Sequence, residues 1–342
     1  MADGRVRDDE RRGGVRAADD SFREWVEADP ESEFPAESGR YHLYVSYACP
    51  WAHRTLITRA LKGLDDHVSV SVVDPHRKND GWEFSPEKPG CTPDHISGAD
   101  YLREVYTNAD SEFTGRVTVP VLWDKERGTI VNNESKEIMR MVDTAFDGIA
   151  DRDVTLYPEE YRDEVDETIE AIYEPINNGV YRAGFAETQT AYEGAVEELF
   201  DALDHWEDVL AEQRYLCGPV LTEADVCMFT TLVRFDAVYA THFKCNVRRI
   251  VDYPNLWNYL KELMQLPDVA ETSAWTTSRS TTTEATRTST RPESCPSARN
   301  SISRRNTTGT GWRAGHRRRF VAEITSETTP TETTEPRIRN YR

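Results

Sequence analysis

Residues 41–45, Tyr41-His42-Leu43-Tyr44-Val45, alternate as a short strand, and Leu56, Ile57, Ala60, Leu61 and Leu64 recur at helical spacing over 54–64. Val68 to Val73 alternates as a second strand. A polar insertion follows over 75–113, with Asp80-Gly81-Trp82-Glu83-Phe84 and a stretch from Gly90 to Gly98; a loop of that length is usually functional or without regular structure. Tyr101 to Tyr106 is expected to restore a helical turn. Val117 to Trp123 reads as a strand interrupted by Pro120, which implies an edge, a bulge or a cis bond. Thr129-Ile130-Val131 is its hairpin partner. Asn132-Asn133-Glu134-Ser135 then opens a helix over 136–146.

The order β-α-β-(long loop)-β-β-α is that of a thioredoxin-like domain. From 151 onward the periodicity is helical throughout. Helices are predicted over 161–173, 189–210, 226–238 and 254–266, with a turn or kink at Asn177 to Tyr181. Thr222-Glu223-Ala224-Asp225 has the form of a capping box, with Asp225 reaching back to Thr222. The fold class is therefore α/β plus all-α. The expected divisions are an N-terminal extension over 1–40, a thioredoxin-like domain over 41–150, an α-helical domain over 151–272, and an aberrant tail over 273–342.

Composition narrows the partners. The chain has 342 residues, a net charge of -20 and 30% charged residues, with a mean hydropathy of -0.69. The tail from Ser273 holds 13 Arg and 6 Glu and neither Asp nor Lys, so it carries +7 and residues 1–272 carry -27. So acidic a body disfavours nucleic acid and anionic membrane as partners, and suits a high-salt cytoplasm in which repulsion is screened. No apolar run approaches membrane-spanning length. The six cysteines, at 49, 91, 217, 227, 245 and 295, show no framework spacing and read as reduced thiols of a cytoplasmic protein. The tail lacks apolar periodicity and is expected to be disordered.

The chemistry concentrates in Tyr47-Ala48-Cys49-Pro50-Trp51-Ala52-His53-Arg54. Cys49 falls in the turn between strand and helix, with Pro50 at the first helical position, where a missing N–H costs nothing. A thiol there faces free backbone N–H groups and the positive end of the helix dipole, which favour thiolate. The alternative is a buried structural cysteine. Ala52 stands where a second cysteine would close a local disulfide, so an external thiol would have to resolve any intermediate. His53 and Arg54 are expected to face solvent or to help set the field around the sulfur. His242 and Cys245 have a metal-like spacing, but no second pair accompanies them, and no metal site is expected.

The hexapeptide Cys49-Pro50-Trp51-Ala52-His53-Arg54 resembles the active-site motif of the glutathionyl-hydroquinone reductases, the xi-class glutathione transferases. The likeness extends through Thr118 to Asp124, Ile130 to Ser135, Asn177 to Ala186, Leu221 to Asp225, Val233 to Tyr239, His242 to Asn246 and Asp252 to Trp257. The resemblance implies a thioredoxin-like domain followed by a glutathione-transferase-type helical domain, as a homodimer. It also implies reductive removal of a glutathionyl group from a hydroquinone through a Cys49 mixed disulfide. Trp82, Val119, Glu134 and Ser135 would hold the thiol, with Pro50, Trp51 and Pro120 shaping the site. Tyr181 would face the aromatic substrate as hydrogen-bond or proton donor. Glutathione, or γ-glutamylcysteine in a salt-adapted host, would be co-substrate, with no tightly bound cofactor. Bland readings stand beside these: Trp82 covering the loop, Tyr181 packing between domains, Glu134 as a helix-start charge.

Beyond the last matched helix the family continues with a segment like HIKxHYY, then NP and IVPxGP. This chain instead has Ser273 to Thr283, and a neighbouring reading frame of that stretch can spell CMDHIKEHYY. Residues from about 272 are accordingly expected to be a frameshifted translation. Two other functions stay open: a general glutathione transferase or monothiol glutaredoxin-like thioltransferase, and a non-catalytic binding protein of the same fold.

Overall fold

The first strand, β1 (Tyr41–Val45), is buried along its whole length because it has a neighbour on each edge and helices over its faces. The computed structural model describes residues 22–77 and 80–273. Residues 1–21 and the tail beyond 273, with its expected frameshift and disorder, lie outside the described residues. The sheet has the order β2-β1-β3-β4. β1 runs parallel to β2 (Ser69–Val72), with Leu43 opposite Val70, and antiparallel to β3 (Val121–Asp124), with Leu43 opposite Leu122. β4 (Thr129–Asn132) pairs antiparallel with β3. The expected strand over 117–123 begins only at Val121. The Val119–Pro120 bond is cis, and Pro120, lacking an N–H, precedes the ladder rather than breaking it.

Three helices complete this half: α1 (Pro50–Leu61), α2 (Leu102–Ala109) and α3 (Ser135–Thr144). Leu56, Leu102, Val105, Ile138, Met141 and Val142 join the strand residues in one apolar core. Residues 22–40 close over it. Phe22, Val26 and Phe34 are buried in that core, and the Glu24 N–H donates to the Val131 carbonyl at 3.0 Å. The polar insertion is held by its own bonds. Asp94 accepts the N–H groups of Ile96, Ser97 and Ala99 and the Tyr44 hydroxyl at 2.9 Å, and the Leu102 N–H donates to the Trp82 carbonyl at 2.9 Å.

The second half is helical, and its core is continuous with the far side of α1 through Ile57 and Leu61. It comprises α4 (Arg162–Ile172), α5 (Gly179–Gly184), α6 (Gln189–Glu212), α7 (Glu223–Arg234), the single turn α8 (Ala240–His242) and α9 (Pro254–Met264). Every residue of α7 is buried. Asp225 reaches back as expected, accepting the Thr222 N–H at 2.8 Å and hydroxyl at 3.0 Å. Two π turns, Tyr173–Asn177 and Phe235–Tyr239, interrupt the helices. The first lies just ahead of the kink expected at Asn177 to Tyr181, where α5 begins instead, and the second ends α7 four residues before its predicted limit. Such turns re-aim the side chains that follow them.

Candidate active site

Cys49 is the N-cap residue of α1, with extended backbone angles, and is half-buried. Its thiol donates to the Val119 carbonyl at 3.6 Å, a bond that only the protonated form makes. Burial pushes the Cys49 thiol up from the ordinary value, against the opposing pull of the Ala52 and Trp51 N–H groups and of the Arg234 and Arg54 guanidiniums. The expected donors are therefore present, but desolvation outweighs them, and the net depression expected from the helix start is not found.

Above the cysteine lies an aromatic cluster contributed by both halves. Trp51, on α1, stacks at 6.5 Å on Tyr181 of α5 and leans at 5.7 Å on Tyr173 of the first π turn. The Tyr181 and Tyr239 hydroxyls lie 3.3 Å apart, with Phe243 edge-on to Tyr181 at 5.4 Å. Phe185 is 54% exposed and borders the same cluster. Gly184 permits this packing, since a Cβ there would meet the Phe243 ring at 2.5 Å. Burial, then Tyr239 and Cys49, push the Tyr181 phenol well above its usual range, so it is held as a neutral donor.

Of the residues assigned to thiol binding, Glu134 and Ser135 stand at the start of α3. Glu134 is its N-cap and accepts the Lys136 N–H and the Ser135 hydroxyl, each at 3.2 Å. Ser135 is buried. Trp82 is half-buried against the first core. Val119 offers its carbonyl to Cys49, as above. A small apolar cavity elsewhere, between α1, α7 and α9, is lined by Ile57, Leu61, Val226, Phe229, Leu263 and Val269 and contains no polar group.

Residues 48–145 match the profile of the glutathione S-transferase N-terminal domain, and 189–262 that of the C-terminal domain. The Escherichia coli protein named glutathionyl-hydroquinone reductase YqjG is 50% identical over 266 residues, 76% of this chain and 81% of that one. Its glutathione-bound structure aligns with a TM-score of 0.75 over 77% of this chain and 87% of that one. The glutathionyl-hydroquinone reductase PcpF of Sphingobium chlorophenolicum is 53% identical over 71% of this chain and 77% of its own length. A xi-class glutathione transferase from Natrialba magadii is 64% identical, with a TM-score of 0.74 over 75% of this chain and 80% of that one. This chain belongs to the xi-class glutathione transferases.

In this xi-class site Arg54 does help set the field around the Cys49 sulfur, the second of the two alternatives for His53 and Arg54. His53 and Arg54 do not face solvent; they are 1% and 2% exposed, because α1 is covered by the sheet on one side and α7 on the other. Arg54 donates to Asn177 Oδ1 at 2.9 Å and lies over the Trp51 ring at 4.4 Å. Burial, then Arg234, hold the His53 ring well below the usual imidazole range. His53 Nδ1 lies 2.9 Å from an Arg234 nitrogen, which can only donate, so the ring proton sits on Nε2, 2.9 Å from Thr272 Oγ1. Arg234, Tyr239 and Tyr173 escaped the sequence reading. The first two lie in the matched stretch Val233 to Tyr239, but an apolar helical period carries no mark of which polar residue turns inward. Cys245 is buried, with its sulfur 3.9 Å from the Val180 carbonyl, and packs rather than standing open. The five cysteines among the described residues are free thiols.

Proposed function

We propose that this xi-class chain is a thiol-dependent glutathionyl-hydroquinone reductase with Cys49 as its nucleophile. The Cys49 thiolate attacks the sulfur of the glutathionyl-hydroquinone thioether. A Cys49–glutathione disulfide forms, the aryl carbon–sulfur bond breaks, and its electron pair passes to the ring carbon, which takes up a proton. A second glutathione then attacks the mixed disulfide, releasing glutathione disulfide and restoring the Cys49 thiolate.

The observation that carries this reading is the lone thiol at the start of α1, facing a neutral Tyr181 phenol, in a chain half identical to proteins named for this reaction. Ala52, three positions on, leaves resolution to an external thiol. Tyr181 supplies the proton or the hydrogen bond to the departing ring. Trp82, the Val119 backbone, Glu134 and Ser135 hold the thiol, Glu134 pairing with the ammonium of its γ-glutamyl end and the free N–H groups of α3 receiving the carboxylate. Pro50, Trp51 and Pro120 shape the floor.

Glutathione or γ-glutamylcysteine as thiol, a homodimer, a cytoplasmic location and a division into domains 41–150 and 151–272 belong to the same proposal. Among the described residues no helix is long and apolar enough to cross a membrane. A substrate panel tests the reading. Turnover of glutathionyl-hydroquinones well above conjugation of electrophiles or reduction of small glutathione disulfides is expected; the reverse order would assign the chain to the general transferase or glutaredoxin-like class.

A further inference from the structure

Arg234, the last residue of α7, is 5% exposed. All its bonds go to neutral acceptors: His53 Nδ1 at 2.9 Å, the Thr230 carbonyl at 2.9 Å and the Tyr47 carbonyl at 3.1 Å. Its Nε has no partner, and among the described residues no carboxylate pairs with it. A desolvated cation is costly and is ordinarily neutralised by a carboxylate. The groups facing Arg234 that can become anions are Tyr239, Tyr181 and Cys49. Burial raises the two phenols and the Cys49 thiol alike, but a thiol ionises more readily than a phenol, so the sulfur is the first anion that can meet the charge. The bonds have the matching layout. Tyr47 is two residues before Cys49 and His53 four after it, so one guanidinium ties together both ends of the turn that carries the thiol.

We propose that Arg234 is the positioning residue of Cys49, clamping the turn through Tyr47 and His53 while its unpaired charge stands as counter-charge for the thiolate. The inference rests on Cys49 being the nucleophile and not on the identity of the aromatic substrate. Other charged or titratable groups around the sulfur are Arg54 on α1 itself, Tyr181 on α5 and Tyr239 on the second π turn, while His53 is neutral. The two guanidiniums share the work, and removal of one leaves the other.

The test is the pH profile of Cys49 alkylation by iodoacetamide, followed by intact mass, in wild type, Arg234→Gln, Arg234→Met and Arg234→Lys. The neutral variants are expected to raise the midpoint by about one pH unit and to slow alkylation at pH 8 about tenfold, with the high-pH plateau within about twofold of wild type. Arg234→Lys keeps the charge and is expected to hold the midpoint within about half a unit, with a lower melting temperature from the lost bonds. A folded Gln or Met variant with the wild-type midpoint overturns the proposal. Where neither neutral variant folds, Arg234→Lys decides: a held midpoint supports the counter-charge, and a rise of about a full unit overturns it. The readout uses no hydroquinone, so a failure here is distinguishable from failure of the reductase assignment, which shows only in turnover.

Discussion

Arg234 donates to Nδ1 of His53 at 2.9 Å across the seam between the two halves, and so sets the tautomer of a buried neutral imidazole four residues from Cys49. The contact makes α7 part of the site, although its own sequence reads as an ordinary core helix.

The neutral state of the buried histidines gives the protein an acid-labile stability. Burial depresses the His42 ring to about 4, whereas in the unfolded chain it titrates at about 6.5. The unfolded state therefore binds a proton first as pH falls, and stability is lost from about pH 6.5 down toward 4. The loss from His42 alone between pH 7 and pH 5 is about 2 kcal/mol, and His53, depressed for the same reason, adds to it. Urea denaturation at the two pH values is expected to show this fall, and a smaller one in His42→Gln. An equal fall in the variant would remove His42 from the account.

Tyr181→Phe keeps the ring in its cluster and removes the hydroxyl that faces Tyr239 at 3.3 Å. A proton donor of this kind contributes about 10²–10⁴-fold. The variant is therefore expected to lose at least about 10²-fold in kcat on a glutathionyl-hydroquinone, with KM little changed and Cys49 alkylation unaffected. If kcat is unchanged, Tyr181 is a packing residue.

Gly184→Ala drives a methyl group into the Phe243 ring, whose nearest atoms lie 2.5 and 2.8 Å from the added atom. Overpacking of this sort costs about 1–3 kcal/mol. The displaced Phe243 edges Tyr181, so KM for the aromatic substrate is expected to rise while the thiol keeps its reactivity. A melting temperature equal to wild type would show that the ring moves aside freely.

Residues 1–272 carry a net charge of -27, so self-repulsion opposes the folded state at low ionic strength. Raising KCl from about 0.1 M to about 1 M shortens the screening length from about 10 Å to about 3 Å. The thermal midpoint is expected to climb over this range. A flat or falling midpoint would separate the acidic surface from salt adaptation.

Most of the fold was legible in the chain because its periods are clean. The strand at 41–45 and the helices after Pro50 and Pro254 appear where the apolar spacing and the helix-start prolines put them. The Asp225 cap likewise follows from a local motif. Non-local features were not legible. α1 presents one apolar stripe in sequence yet is covered on both sides, so His53 and Arg54 are buried rather than solvent-facing, although the Arg54 charge reaches the sulfur as the other alternative had it. The π turn that carries Tyr173 is marked in sequence only by Pro175, and the one that carries Tyr239 by no Pro or Gly. The charge balance at Cys49 also depends on an arginine 185 positions away in sequence, and helix-dipole reasoning on the motif alone omits the desolvation that opposes it.

Cys49 as the covalent nucleophile is tested most directly by single turnover. Wild type and Cys49→Ala are mixed with stoichiometric glutathionyl-hydroquinone without further thiol, and intact mass and released hydroquinone are measured together. One glutathione-sized adduct on Cys49 for each hydroquinone released, in wild type only, is the predicted result. Hydroquinone release by Cys49→Ala at the wild-type rate, or release by wild type with no adduct on Cys49, would contradict it.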